Sequence, residues 1–130
     1  MIRVLLVDDD AVYRRIFTLL LQRLPDVRVV AEAGSLAEAR AMLGSGADVA
    51  VLDRVLPDGD GLELIGELRD ANPGAKVLVM SAFAGLANRR EALEAGADRV
   101  LGKVEPPEEA FAAIRQLGGE HTTTPMHSRA

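Results

Sequence analysis

The 130-residue chain contains no cysteine and no tryptophan. Without thiols it forms neither a disulfide nor a thiolate metal site, and it fits a reducing compartment. Aromatic residues are scarce, 3% against an apolar fraction of 48%, so Val, Leu, Ile and Ala must build the core. No apolar run is long enough to span a membrane. The chain does not open with a basic region followed by an apolar stretch, so no signal peptide is visible. A cytoplasmic setting is predicted. There is also no excess of positive charge. The formal net charge is −5, which argues against nucleic acid or an anionic membrane as a ligand of this body. Aspartates, not glycines, follow the first apolar run, so the phosphate loop of a dinucleotide-binding fold is missing.

What is present is an alternation. The length fits one domain. Short apolar runs at Arg3–Val7, Val27–Ala33, Asp48–Leu52, Lys76–Met80 and Arg99–Leu101 read as strands. Between them lie helical patterns: Ala11–Leu24, Ser35–Leu43, Leu62–Ala71, Leu86–Ala95 and Pro107–Leu117. Asp10 is placed to cap the first helix, and Ser35 with Glu38 forms a capping-box pattern for the second. Gly118-Gly119 reads as a helix stop, and residues 118–130 as a linker or mobile tail after a domain at 1–117. Apolar strands alternating with amphipathic helices predict an α/β fold with a parallel sheet covered on both faces.

Ligands of such sheets bind beyond the carboxyl ends of the strands. The first strand delivers Asp8, Asp9 and Asp10 there, the third Asp53, the fourth Ser81 and the fifth Lys103. Converging carboxylates need a cation or protons to offset their repulsion. An all-oxygen donor set is the pattern of Mg²⁺. A cation, an ammonium and a hydroxyl together match the oxygens of a phosphoryl group, and an aspartate is a competent acceptor of one. Asp10 reads as a cap, not a ligand. The DGDG stretch at Asp58–Gly61 reads as a turn, since its spacing lacks the ligands of a calcium loop.

At these residues the chain resembles the receiver domain of two-component response regulators, of the NarL/LuxR type. Asp8-Asp9 after VLLV, Asp53 in VLDRVLPDGDGLEL, Ser81 in VLVMSAF and Lys103 in GADRVLGK carry the resemblance. It implies a flavodoxin-like (βα)5 fold with a doubly wound parallel sheet of order 2-1-3-4-5. It also implies Asp53 as phosphoacceptor and Mg²⁺ held by Asp8, Asp9, Asp53 and the backbone carbonyl of Val55. Ser81 and Lys103 would contact the phosphoryl oxygens, and Pro57 and Gly61 would shape the adjoining loop. The implied donor is a phosphohistidine on a sensor histidine kinase. The domain would catalyse only its own phosphorylation and dephosphorylation. A homodimer through the face of the fourth helix, fifth strand and fifth helix, or through the first and fifth helices, is a further expectation by analogy.

The chain departs from that family at two places. Where an aromatic residue usually stands three positions before the lysine, it has Val100. Valine cannot swing as a ring does, which predicts weaker coupling between phosphorylation and the output face. Val55 and Phe83 place apolar bulk beside the acceptor, which predicts slow loss of the phosphoryl group to water. The run KVEPPEEAFAAI resembles receivers joined to a DNA-binding output domain. The residues after it are fewer than the roughly 40 that fold unaided. Two other readings stand beside the switch. One is a receiver-like interaction module that no longer switches. The other is a small Mg²⁺-dependent phosphatase of the haloacid dehalogenase kind, which Asp8 and Asp10 match in spacing but which usually carries a cap.

Overall fold

A computed structural model describes residues 1–82 and 85–127, with side chains through Gly119. Five parallel strands form one sheet: β1 (Ile2–Val7), β2 (Val27–Ala33), β3 (Val49–Asp53), β4 (Lys76–Ser81) and β5 (Arg99–Gly102). Their order is β2-β1-β3-β4-β5, the doubly wound flavodoxin-like arrangement that the family resemblance implies. The helices are α1 (Ala11–Leu21), α2 (Leu36–Ala41), α3 (Leu64–Ala71), α4 (Leu86–Glu94) and α5 (Pro107–His127).

Alternation along the strands builds two cores. Leu5, Val7, Leu52, Val77, Val79 and Val100 point to one face, where Leu36, Leu64, Ile65 and Leu68 cover them. Val4, Leu6, Val51, Leu78, Met80 and Leu101 point to the other, under Phe17, Leu21, Ile114 and Leu117. This is why the strands read as continuous apolar runs: both faces are buried. Fully burying each such side chain contributes about 1.5–3 kcal/mol.

Capping follows the sequence where the cap is local. The Asp10 carboxylate accepts from the backbone N–H groups of Val12 (3.1 Å) and Tyr13 (3.0 Å). Ser35 Oγ accepts from the Glu38 N–H at 3.1 Å. A second cap on α2 comes from far away in the chain. Asp58 accepts from the Leu36 and Ala37 N–H groups at 2.8 and 3.0 Å. Its stretch, read as a plain loop, contains a short antiparallel hairpin pairing Val55–Leu56 with Gly59–Asp60. α1 ends at Leu21 instead of Leu24, and residues Gly61–Glu63 form a 3₁₀ turn ahead of α3.

The end of α5 differs most from expectation. The helix passes through Gly118-Gly119 and continues to His127. Gly118 is there for closeness: a Cβ on it would lie 2.7 Å from Ile2 side-chain atoms, whereas one on Gly119 would meet nothing within 4 Å. Gly118→Ala is therefore expected to destabilise the fold by about 1–3 kcal/mol through overpacking. Gly119→Ala should stabilise it by up to about 1 kcal/mol through helix propensity. Thermal unfolding of the two variants checks this, and shifts of the same sign would contradict the packing against Ile2.

Asp58 gives a pH-dependent prediction. The two backbone N–H groups of α2 hold its carboxyl below the ordinary aspartate value. Its contribution is thus present above that value and is lost as pH falls through the lower, folded-state value. Asp58→Ala should lower Tm at neutral pH, and the gap to wild type should close in acid. Melting curves across an acid series test it; a gap that persists once Asp58 is protonated would rule out the charged cap.

Candidate functional site

Strand adjacency brings the acidic residues together. In the β1–β3 pairing Val7 lies opposite Leu52, so the next residues, Asp8 and Asp53, emerge side by side. β1 and β3 flank the point where the winding reverses, which is where such sheets bind ligands. Asp8 and Asp53 are only 3% and 6% exposed, while Asp9 is exposed. One carboxylate oxygen from each of Asp8, Asp9 and Asp53 lies within 4.8 Å of the others.

Lys103 crosses from β5 to meet them. Its Nζ lies 2.8 Å from Asp8 Oδ2 and 3.0 Å from Asp53 Oδ2. Its backbone N–H donates to the Ser81 carbonyl at 2.8 Å, which fixes the lysine beside the end of β4. Ser81 is buried there, one residue past Met80, which pairs with Asp53. All the residues singled out from the sequence, Asp8, Asp9, Asp53, Ser81 and Lys103, thus stand at one rim of the sheet. Asp10 is separate, as expected: its carboxylate is committed to α1, and its own N–H donates to Asp8 Oδ1 at 2.9 Å.

The electrostatics follow from burial. Burial pushes the Asp53 carboxyl above the ordinary aspartate value; the Lys103 hydrogen bond opposes this, and the charge of Asp8 reinforces it. For Lys103 burial acts downward, but its hydrogen bonds to Asp8 and Asp53 outweigh it and the ammonium is held above its ordinary value. Three carboxylates face one ammonium here, so two negative charges remain when all are ionised. A divalent cation matches that balance, and an all-oxygen set suits Mg²⁺. The donor chemistry therefore fits the implied ion.

The loop after Asp53 is shaped by close approach. A Cβ on Gly61 would fall 2.0 Å from the Asp53 carbonyl oxygen, and the Gly61 N–H donates to the Arg54 carbonyl at 2.7 Å. Val55 donates its N–H to Asp53 Oδ1 at 3.4 Å. The Val55 side chain is 68% exposed, so it is not packed over the acceptor as a shield. Phe83, its counterpart in that expectation, lies outside the described residues. Val100 is 6% exposed and belongs to the core.

Sequence reading missed three side chains that hold the site. Arg14 donates to the Asp8 carbonyl and pairs with Glu32 at 3.3 Å. Arg54 joins the acceptor loop to α4 through Asn88, at 2.7 Å, and Glu91. Tyr13 lies under Lys103, its ring centroid 4.9 Å from Nζ. The signal for Tyr13 was available: it is the only tyrosine in a chain poor in aromatics, shortly after the acidic triplet.

Comparison with known proteins bears on the family and the fold. Residues 4–115 match the response regulator receiver domain family. The transcriptional activator DevR/DosR of Mycobacterium tuberculosis is 39% identical over 119 residues, 91% of this chain and 55% of that protein. The chain thus spans about half the length of that curated relative. A LuxR-family response regulator from Aurantimonas sp. SI85-9A1 superposes with a TM-score of 0.83 at 32% identity, covering 90% of this chain and 84% of that one. A response regulator from Burkholderia pseudomallei, solved with a phosphorylated aspartic acid, a calcium ion and citrate, superposes at 0.78 with 27% identity, covering 100% of this chain and 76% of that one. The family match runs through every strand and through the carboxylate-lysine rim, and this chain is a receiver domain of the response regulators of two-component systems.

Proposed function

We propose that this domain takes a phosphoryl group from a phosphohistidine of a sensor histidine kinase onto Asp53, catalyses that transfer itself, and changes its protein contacts as a result. The observation that carries this is the placement of buried Asp53 against Lys103, with Asp8 and Asp9 within reach of the same point. Asp53 Oδ attacks phosphorus, the P–N bond breaks, and the histidine nitrogen keeps the electron pair. Asp8, Asp9, Asp53 and the Val55 carbonyl would hold Mg²⁺, which when bound supplies positive charge to the phosphoryl oxygens. Lys103 offsets the charge of a second oxygen, and Ser81 offers a hydroxyl to a third. Lys103 already bonds Asp53 at 3.0 Å, so the ammonium stands beside the attacking carboxylate before transfer. The phosphorylated aspartate and cation in the Burkholderia protein support the same assignment by similarity.

We infer that residues 1–117 are the receiver body, with α5 continuing past it to His127. The reading places the domain in the cytoplasm. Among the described residues no helix is long and apolar enough to cross a membrane. Exposed Leu86 and Leu93 on α4, and exposed Val12, Ile16 and Leu19 on α1, offer apolar surface to the kinase or a second copy. The α4-β5-α5 face and the α1-α5 face are the two candidate dimer surfaces.

Intact-mass measurement after incubation with Mg²⁺ and a small acyl phosphate tests the core of this. Wild type should gain one phosphoryl group. Asp53→Asn, or removal of Mg²⁺ with a chelator, should abolish the gain. Lys103→Met should slow it about 100-fold, the scale of losing one preorganised charge-stabilising group. An unmodified wild type would favour the non-switching module, and turnover of phosphate esters would favour the phosphatase.

A further inference from the structure

We propose that Tyr13 is a positioning residue for Lys103, and that its ring couples the ammonium to the seam between α1 and α5. Four observations converge. Lys103 Nζ sits 4.9 Å from the ring centroid, within reach of a cation–π attraction. The Tyr13 backbone is fixed by the Asp10 cap, which accepts its N–H at 3.0 Å, so the acidic triplet that builds the site also aims the ring.

The ring does not stand alone. It stacks on Phe17 at 5.9 Å and 16°, and Phe17 meets Phe111 of α5 at 5.9 Å and 47°. The chain has one tyrosine and three phenylalanines, and three of these four line up between the site and α5. A cavity of about 130 Å³, lined by Tyr13, Phe17, Leu20, Met80, Lys103 and Pro107, leaves the ring room to shift. β5 brings only valine at position 100; the ring in contact with the site comes from α1 instead. When Lys103 leaves Asp8 for a phosphoryl oxygen, the ring loses or re-forms its contact, and Phe17 and Phe111 feel the change. A role limited to filling space would be met equally well by leucine.

The rate arm of the test rests on Asp53 phosphorylation; the spectroscopic arm does not. In metal-free protein, NMR should show the Lys103 side-chain protons displaced upfield by the ring current. Tyr13→Phe should keep that displacement, and Tyr13→Leu should remove it. With saturating Mg²⁺ and a small acyl phosphate, Tyr13→Phe should phosphorylate near the wild-type rate. Tyr13→Leu should be slower on the order of five-fold, the scale of one partly buried cation–π contact. Fluoroberyllate, a phosphoryl mimic, should shift the Phe111 ring signals in wild type and Tyr13→Phe but not in Tyr13→Leu. An undisplaced Lys103 in wild type, or a Tyr13→Leu variant as fast as wild type, overturns the positioning role. Phe111 signals that never move overturn the coupling. A wild type that takes up no phosphoryl group overturns the functional reading, and the rate role with it, while the ring-current result still decides the contact itself.

Discussion

One ammonium holds two buried carboxylates at a distance they would not choose. Lys103 bonds Asp8 at 2.8 Å and Asp53 at 3.0 Å, and both acids are almost sealed from water. Removing one partner from such a group leaves uncompensated buried charge, at a cost of several kcal/mol. The arrangement is imposed by topology. β1 and β3 are hydrogen-bonded neighbours in parallel register, so the residues that follow them have to meet. β5 lies on the far side of β4, and a side chain as long as lysine is needed to reach across. The pairing remains incomplete by design of charge: Asp9 adds a third carboxylate that the ammonium does not offset. That surplus is the charge a divalent cation would offset, as proposed above for Mg²⁺.

The helix next to this rim is attached in an unusual way. Of α4 only Ala92 is buried, so hydrophobic burial contributes little to its position. Arginines hold it instead. Arg54, directly after Asp53, reaches Asn88 and Glu91. Arg89 donates to the Val100 carbonyl at 2.7 Å and lies 3.4 Å from Glu105, two residues past Lys103. Partly exposed ion pairs contribute modestly each. An element held this way sits at the low end of local stability and is the readiest to move. Its two clasps end beside Asp53 and Lys103, the two residues the proposed transfer would engage.

Much of this was legible before any coordinates. Strands buried on both faces leave continuous apolar runs, and the residues at their carboxyl ends form the candidate site, so Asp8, Asp53, Ser81 and Lys103 could be read directly from the chain. Local caps were equally plain at Asp10 and Ser35. What escaped depends on partners distant in sequence. Glycine ends helices and also permits close packing; only the position of Ile2 shows that Gly118 does the second. Asp58 sits in a turn-like composition, yet its task is to cap α2. The hairpin at Val55–Asp60 has strands of two residues, too short to show a period. Arg14 and Arg54 look like any surface arginine until their acceptors are known.

The valine at position 100 has a different meaning once these contacts are known. Taken alone, a short buried side chain in place of a ring argues that the output face hears little from Asp53. But Arg89 takes hold of β5 through the Val100 carbonyl, a group that every residue supplies. Glu105 accepts the Gly102 N–H at 2.6 Å and meets the same arginine, so a shift of the Lys103 turn reaches α4 through backbone and charge. Such a link does not need an aromatic side chain on the strand. It is sensitive to ionic strength, as exposed ion pairs are, whereas a ring packed in a pocket is not. The weaker coupling expected from valine concerns the ring's route, whereas Arg89 and Glu105 join the Lys103 turn to α4 by contacts of another kind.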